Sequence, residues 1–144
     1  MVVSMSENAV IDPTRAHLPK IYAFDVDHTL WVSAGPVTIA DVMSVKREGH
    51  ILGLCGNYAA VTMRSVDWHS LFSFIGPGNM TKQEFLTQLK TYVLHSECVM
   101  VGNDHEDDKW AFEHSVSTIS MDKIAAKDAG WRFISETAFH LGAR

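Results

Sequence analysis

Long apolar runs are missing from this 144-residue chain. None approaches the roughly 18–20 residues that a membrane-crossing helix needs, which excludes a helical span. Cysteine is scarce: Cys55 and Cys98 are the only two, so no disulfide framework is required to hold the fold. Positive charge is not in excess either. With 12 basic against 17 acidic side chains and a net charge of −5, the chain lacks the basic profile of a nucleic-acid binder, and no nucleic-acid or membrane partner is expected. A phosphorylated substrate is still compatible with that charge, because a bound cation inverts the field around it. The stretch Met1–Asn8 has neither a basic n-region nor a continuous apolar h-region, so no secretory signal is read there and the expected location is cytoplasmic. Repeats, low-complexity tracts and linkers are also absent. One domain is expected over residues 20–144, preceded by an N-terminal arm at residues 1–19.

Apolar residues make up 47% of the chain, enough to build a core. The stretch that organises the rest is Ile21-Tyr22-Ala23-Phe24-Asp25-Val26-Asp27-His28-Thr29-Leu30-Trp31. Its apolar opening reads as a buried strand, about Lys20–Asp25. It ends abruptly in two carboxylates, and an unpaired buried carboxylate is costly. Something positive is therefore expected at that strand end, and a divalent cation is the simplest candidate.

Downstream the pattern alternates. Thr38 is placed to cap a helix over Ile39–Arg47, and Ile51–Cys55 reads as a second strand. Gly56-Asn57 is a turn into a helical stretch over Tyr58–Arg64, and Leu71–Ile75 reads as a third strand. Thr81 caps an amphipathic helix carrying Phe85, Leu86, Leu89, Tyr92 and Val93, with Glu84 placed as in a capping box. Cys98–Val101 is a fourth strand that runs into a second acidic loop, Asn103-Asp104-His105-Glu106-Asp107-Asp108. A helix over Asp107–Glu113, a strand over Val116–Ile119, a helix over Met121–Ala129, an edge strand at Trp131–Ile134 and a last helix from Glu136 complete the reading. Strands alternating with helices predict an α/β fold with a parallel sheet. In such sheets ligands bind beyond the carboxyl ends of the strands, where both acidic loops fall.

If Asp25 and the Asp104/Asp108 group converge on one cation, their hard oxygen donors suit magnesium. Asp25 is then placed to attack a phosphate, Asp27 to move protons, and a nearby lysine to balance the added negative charge.

These residues carry a family resemblance. Asp25-Val26-Asp27-His28-Thr29-Leu30 resembles the first motif of the haloacid dehalogenase superfamily, D-x-D-x-[TV]-[LV]. Val101-Gly102-Asn103-Asp104-His105-Glu106-Asp107-Asp108 resembles its fourth motif, G-D-x-x-x-D, with Asn103 inserted. The resemblance implies a Rossmannoid three-layer α/β/α domain and a magnesium-dependent phosphatase. By position, Asp25 would be nucleophile and metal ligand. Asp27 would be general acid/base and give its backbone carbonyl to the metal, Thr29 would fix the loop, and Asp104 and Asp108 would serve the metal. Lys82 or, as fallback, Lys90 would be the third-motif lysine. Cys55 stands where the family has the phosphate-binding serine or threonine, a thiol being a weak donor, and the amides of Gly56 and Asn57 are expected to cradle phosphate. The gaps on either side of Ile51–Cys55 hold too little chain for a cap domain. An open site for a small or protein phosphomonoester is thus implied, with homo-oligomerisation as one way of covering it. The family's usual strand order puts the first strand between the second and fourth, so Cys55 and Cys98 would lie at opposite strand ends.

Plainer readings stand beside these. Asp107 and Asp108 fit a first helical turn, where acids complement the helix dipole. Lys82 fits a solvated lysine. The eight histidines form no metal-ligand spacing. A binding or regulatory module with little turnover, a phosphotransferase, or a receiver-like domain phosphorylated on Asp25 are the rival functions.

Overall fold

The computed structural model describes residues 15–64, 67–103 and 121–144. Five strands, β1 (Ile21–Phe24), β2 (Ile51–Cys55), β3 (Phe74–Gly76), β4 (Cys98–Gly102) and β5 (Arg132–Ser135), form one sheet in the order β3-β2-β1-β4-β5. Every pairing is parallel, and β1 at the centre aligns Phe24 with Leu54 on one side and Val101 on the other. The expected placement of the first strand between the second and fourth is observed. Cys55 therefore ends β2 while Cys98 begins β4, and both are free thiols.

β1 is buried along its whole length, which explains why its sequence is a continuous apolar run rather than an alternation. Its side chains still alternate between faces. Tyr22 and Phe24 enter one core together with Leu52, Leu54, Val99 and Val101, while Ile21 and Ala23 enter another with Cys55, Cys98 and Met100.

Helices close both cores. On the first face lie α1 (Ile39–Arg47), the short α2 (Ala59–Thr62) and α3 (Trp68–Leu71), and α6 (Glu136–His140), contributing Val42, Val45, Val61, Leu71 and Phe139. Phe139 meets Phe24 edge-on with centroids 5.3 Å apart, a favoured aromatic geometry. On the second face lie α4 (Lys82–Tyr92) and α5 (Met121–Asp128), whose neighbourhood is closed by Leu86, Ala125, Ala126 and Ala129. The small alanines let α5 approach the sheet closely. Trp131 is buried between them and donates its indole N–H to the Leu86 carbonyl at 2.9 Å, tying α4 to the entrance of β5.

Local signals explain most boundaries. Thr38 and Asp41 form a complete capping box on α1, each side chain accepting the other's backbone N–H. At α4 the Thr81 hydroxyl accepts the Glu84 amide at 3.1 Å, one half of the box expected there. The third strand is a correction. Leu71 belongs to α3, where the Phe72 amide closes the turn on the Trp68 carbonyl, and the strand begins at Phe74. A helical turn lets Trp68 and Leu71 both reach the first core, which an extended backbone would point to opposite faces. The expected strand at Val116–Ile119, the helix at Asp107–Glu113 and most of the N-terminal arm lie outside the described residues. No helix among the described residues is long and apolar enough to cross a membrane.

Candidate functional site

At the carboxyl end of β1 the ladder runs on by one bond: the Asp25 amide donates to the Val101 carbonyl at 2.8 Å. Asp25 is thereby fixed between β2 and β4 with only 7% of its surface exposed. The chain then turns sharply. Thr29 and Leu30 both donate their amides to the Val26 carbonyl, and His28 takes a left-handed φ of 59°. Val37 returns to the loop by donating to the Thr29 carbonyl at 3.0 Å. Gly35 is needed here, because a Cβ at that position would lie 2.0 Å from the Thr29 carbonyl carbon. Thr29 itself is wholly buried and its hydroxyl lies 3.4 Å from Asp25 Oδ2. Its place is inside the loop.

Lys82, the first residue of α4, brings its ammonium to 2.9 Å from Asp25 Oδ1. Of the two lysines left open by the sequence, this is the one at the strand end; Lys90 bonds the Gly130 carbonyl instead. The same Lys82 ammonium donates to Asp122 Oδ1 at 2.6 Å. Asp122 is 5% exposed, and its Oδ2 accepts the Asn103 amide at 3.2 Å, which ties it to the end of β4. Sequence reasoning missed Asp122. The signal was an acid in the first turn of the helix that leads into the last strand, a position ordinarily explained by the helix dipole alone.

Two buried carboxylates thus share one ammonium. Burial raises Asp25 to about 7, with the Asp122 charge adding to the rise and Lys82 opposing it. For Lys82, burial disfavours the charge, but attraction to Asp25 and Asp122 outweighs it and holds the amine protonated above its ordinary range.

Asp27 occupies different surroundings. It is exposed, its Oδ1 accepts the Ser33 hydroxyl at 2.6 Å, and the Asn57 side-chain amide lies 3.3 and 3.4 Å from its two oxygens. Ser33 ends the 3₁₀ turn Trp31–Ser33 and was not anticipated as a partner.

The expected phosphate cradle needs two corrections. Cys55 is wholly enclosed in the second core, and burial pushes its thiol up to about 12, so it presents neither a thiolate nor a contact to a substrate. The Gly56 amide is committed to the Gly76 carbonyl at 2.8 Å, and the helix that follows is a four-residue turn with little dipole to offer an anion. Gly56 is needed for another reason: a Cβ there would lie 2.3 Å from Asp25 Oδ1. Asn57 reaches the site through its side chain, on Asp27. Asp104 and Asp108 lie outside the described residues.

No family profile, curated protein or solved structure matches the chain.

Proposed function

We propose that this α/β domain belongs with the haloacid dehalogenase-like phosphatases, without a cap domain, and hydrolyses phosphomonoesters through an aspartyl-phosphate on Asp25. The observation that carries this reading is the Lys82–Asp25 contact of 2.9 Å at the carboxyl end of the central strand, next to an accessible Asp27. The segment between β1 and β2 holds only the 3₁₀ turn and α1, which supports an open site.

A magnesium ion suits the donors. Asp25 and Asp122 are buried with Lys82 as their shared ammonium, so negative charge at the strand end exceeds positive. Among the described residues no three acidic, histidine or cysteine side chains gather into a metal site by themselves. Magnesium does not require that, since it usually takes one or two carboxylates and keeps several waters. Asp25, the Asp27 carbonyl and Asp122 would hold it, with Asp104 and Asp108 as the further acids implied by the fourth-motif resemblance. Bound there, it would relieve the repulsion between an anionic phosphate and an attacking carboxylate.

The residues divide the chemistry. Asp25 attacks phosphorus as the carboxylate, and the bond from phosphorus to the leaving oxygen breaks. Asp27 gives its proton to that oxygen, then takes a proton from the water that attacks the aspartyl-phosphate, releasing phosphate and restoring both acids. Lys82 steadies the phosphoryl oxygens as their charge grows. Ser33 and Asn57 orient Asp27 for the proton transfers.

The test is magnesium-dependent hydrolysis of 4-nitrophenyl phosphate, with Asp25→Asn as control. Loss of turnover in the variant is expected; equal activity in variant and wild type would remove the nucleophile assignment.

One observation favours a second reading. The Gly56 amide is already bonded and Cys55 is enclosed, so two of the three expected second-motif phosphate contacts are missing. A binding or regulatory module that turns over slowly, or a phosphotransferase, would accommodate this. No hydrolysis across a broad phosphate panel would favour the binding module; a receiver-like domain predicts a long-lived phosphoaspartate after treatment with acetyl phosphate, where the phosphatase predicts rapid loss.

A further inference from the structure

Beside the Asp27 loop the first face of the sheet is hollow. A cavity of about 310 Å³ is lined by Trp31, Ile39, Met43, Trp68 and Leu71, with Arg64 at its wall. Trp31 is 36% exposed and Ile39 53% exposed, so large apolar side chains stand open to solvent at its rim. The Arg64 guanidinium donates to the Val32 carbonyl and braces the turn that forms one side. The cation in the lining, Arg64, is engaged on the Val32 carbonyl and shares the wall with the acid Asp67, whereas a flat aromatic group is matched by the two indole rings and the flexible methionine. The volume suits one or two fused rings, since an apolar cavity of roughly 150 Å³ accepts benzene.

Position gives the cavity a role. Trp31 and Val32 line it, and Ser33, the last residue of the same turn, holds Asp27 Oδ1 at 2.6 Å. A 3₁₀ turn rises about 2 Å per residue, so Trp31 in the wall and Ser33, which holds Asp27, are about 4 Å apart along that axis. The acid that protonates a leaving oxygen must lie on the leaving-group side of the phosphate. We propose that this cavity is an aryl-binding subsite for the leaving group, making aromatic phosphomonoesters the favoured substrate class. Its catalytic part rests on the phosphatase reading above.

The experiment separates the two. 2-Naphthol, which carries no phosphate, is titrated by calorimetry into the full chain, into Asp25→Asn, and into Ile39→Glu and Met43→Trp, each variant checked for native circular dichroism. Saturable binding is expected in wild type and Asp25→Asn, weakened about tenfold or more by an acid at the rim or an indole in the cavity. Hydrolysis of 2-naphthyl phosphate and glycerol 3-phosphate is then compared. The kcat/KM ratio of aryl to alkyl substrate is expected to fall about tenfold in Ile39→Glu, with the glycerol phosphate rate unchanged. No saturable naphthol binding, wild-type affinity in both cavity variants, or an unchanged ratio would each overturn the subsite. If neither phosphate is hydrolysed by any form, the phosphatase reading and the leaving-group role fall, and the naphthol titration still decides whether the cavity binds aryl groups.

Discussion

Asp25 and Asp27 are near neighbours in the chain and opposites in surroundings. Asp25 is enclosed, contacts an ammonium that a second buried carboxylate shares, and is raised to about 7 by burial. Asp27 stands in solvent, held by the hydroxyl of Ser33 and the amide of Asn57. The difference matches two tasks. A nucleophile benefits from a fixed position and a dry site, where charges interact strongly. A proton carrier must exchange with water and change charge, which neutral partners tolerate better than a fixed ion pair.

Substitutions can break that comparison. The largest effect is expected from Asp25→Asn, which keeps shape and removes the proposed nucleophile: kcat should fall about 10⁴-fold or more, measured with an aryl phosphate at saturating magnesium. Lys82→Ala leaves Asp25 and Asp122 facing each other. Urea denaturation at pH 7 should show a loss of about 3 kcal/mol, with Lys82→Arg recovering part of it. Asp27→Asn should lower kcat about 100-fold while leaving stability within about 0.5 kcal/mol, because the residue is exposed. A stability loss as large as that of Lys82→Ala would end the contrast between the two acids.

Smaller effects sharpen it. Ser33→Ala removes one orienting bond from Asp27 and should reduce kcat by about tenfold at most, a cost near that of a single hydrogen bond. A third acid, Asp41, tests the electrostatics away from the site. Burial alone would raise its carboxyl, but hydrogen bonds from His140, at 2.7 Å, and from Thr38 outweigh this and leave it lowered. A lowered carboxyl stabilises the fold above its unfolded value, about 3.9, and that contribution is lost as pH falls through the folded value. The urea midpoint gap between wild type and Asp41→Asn should therefore be present at pH 7 and shrink by pH 3. It should be modest, since His140 is exposed.

Much of this architecture was legible before folding. Continuous apolar runs at Ile21–Phe24 and Cys98–Val101 marked strands covered on both faces, and Thr38 and Thr81 marked helix starts, because these signals arise within a few residues of chain. The third strand was misplaced by its aromatic content: Leu71 and Phe72 suit a strand locally, and only the need to bury Trp68 and Leu71 on one side selects a helical turn. Lys82 was one of two lysines until the β3–α4 connection brought the start of α4 to the strand end.

By itself the sequence determined that two acids end a buried strand, that the fold alternates strands and helices, and that Thr38 and Thr81 start helices. Only the tertiary structure decided which charges meet. Asp122 joins Asp25 through Lys82, the Gly56 amide is spent on Gly76, and Cys55 turns into the core. The reason is range: strand and cap signals are local, whereas a buried ion network depends on sheet order and on the few ångströms by which packed helices approach.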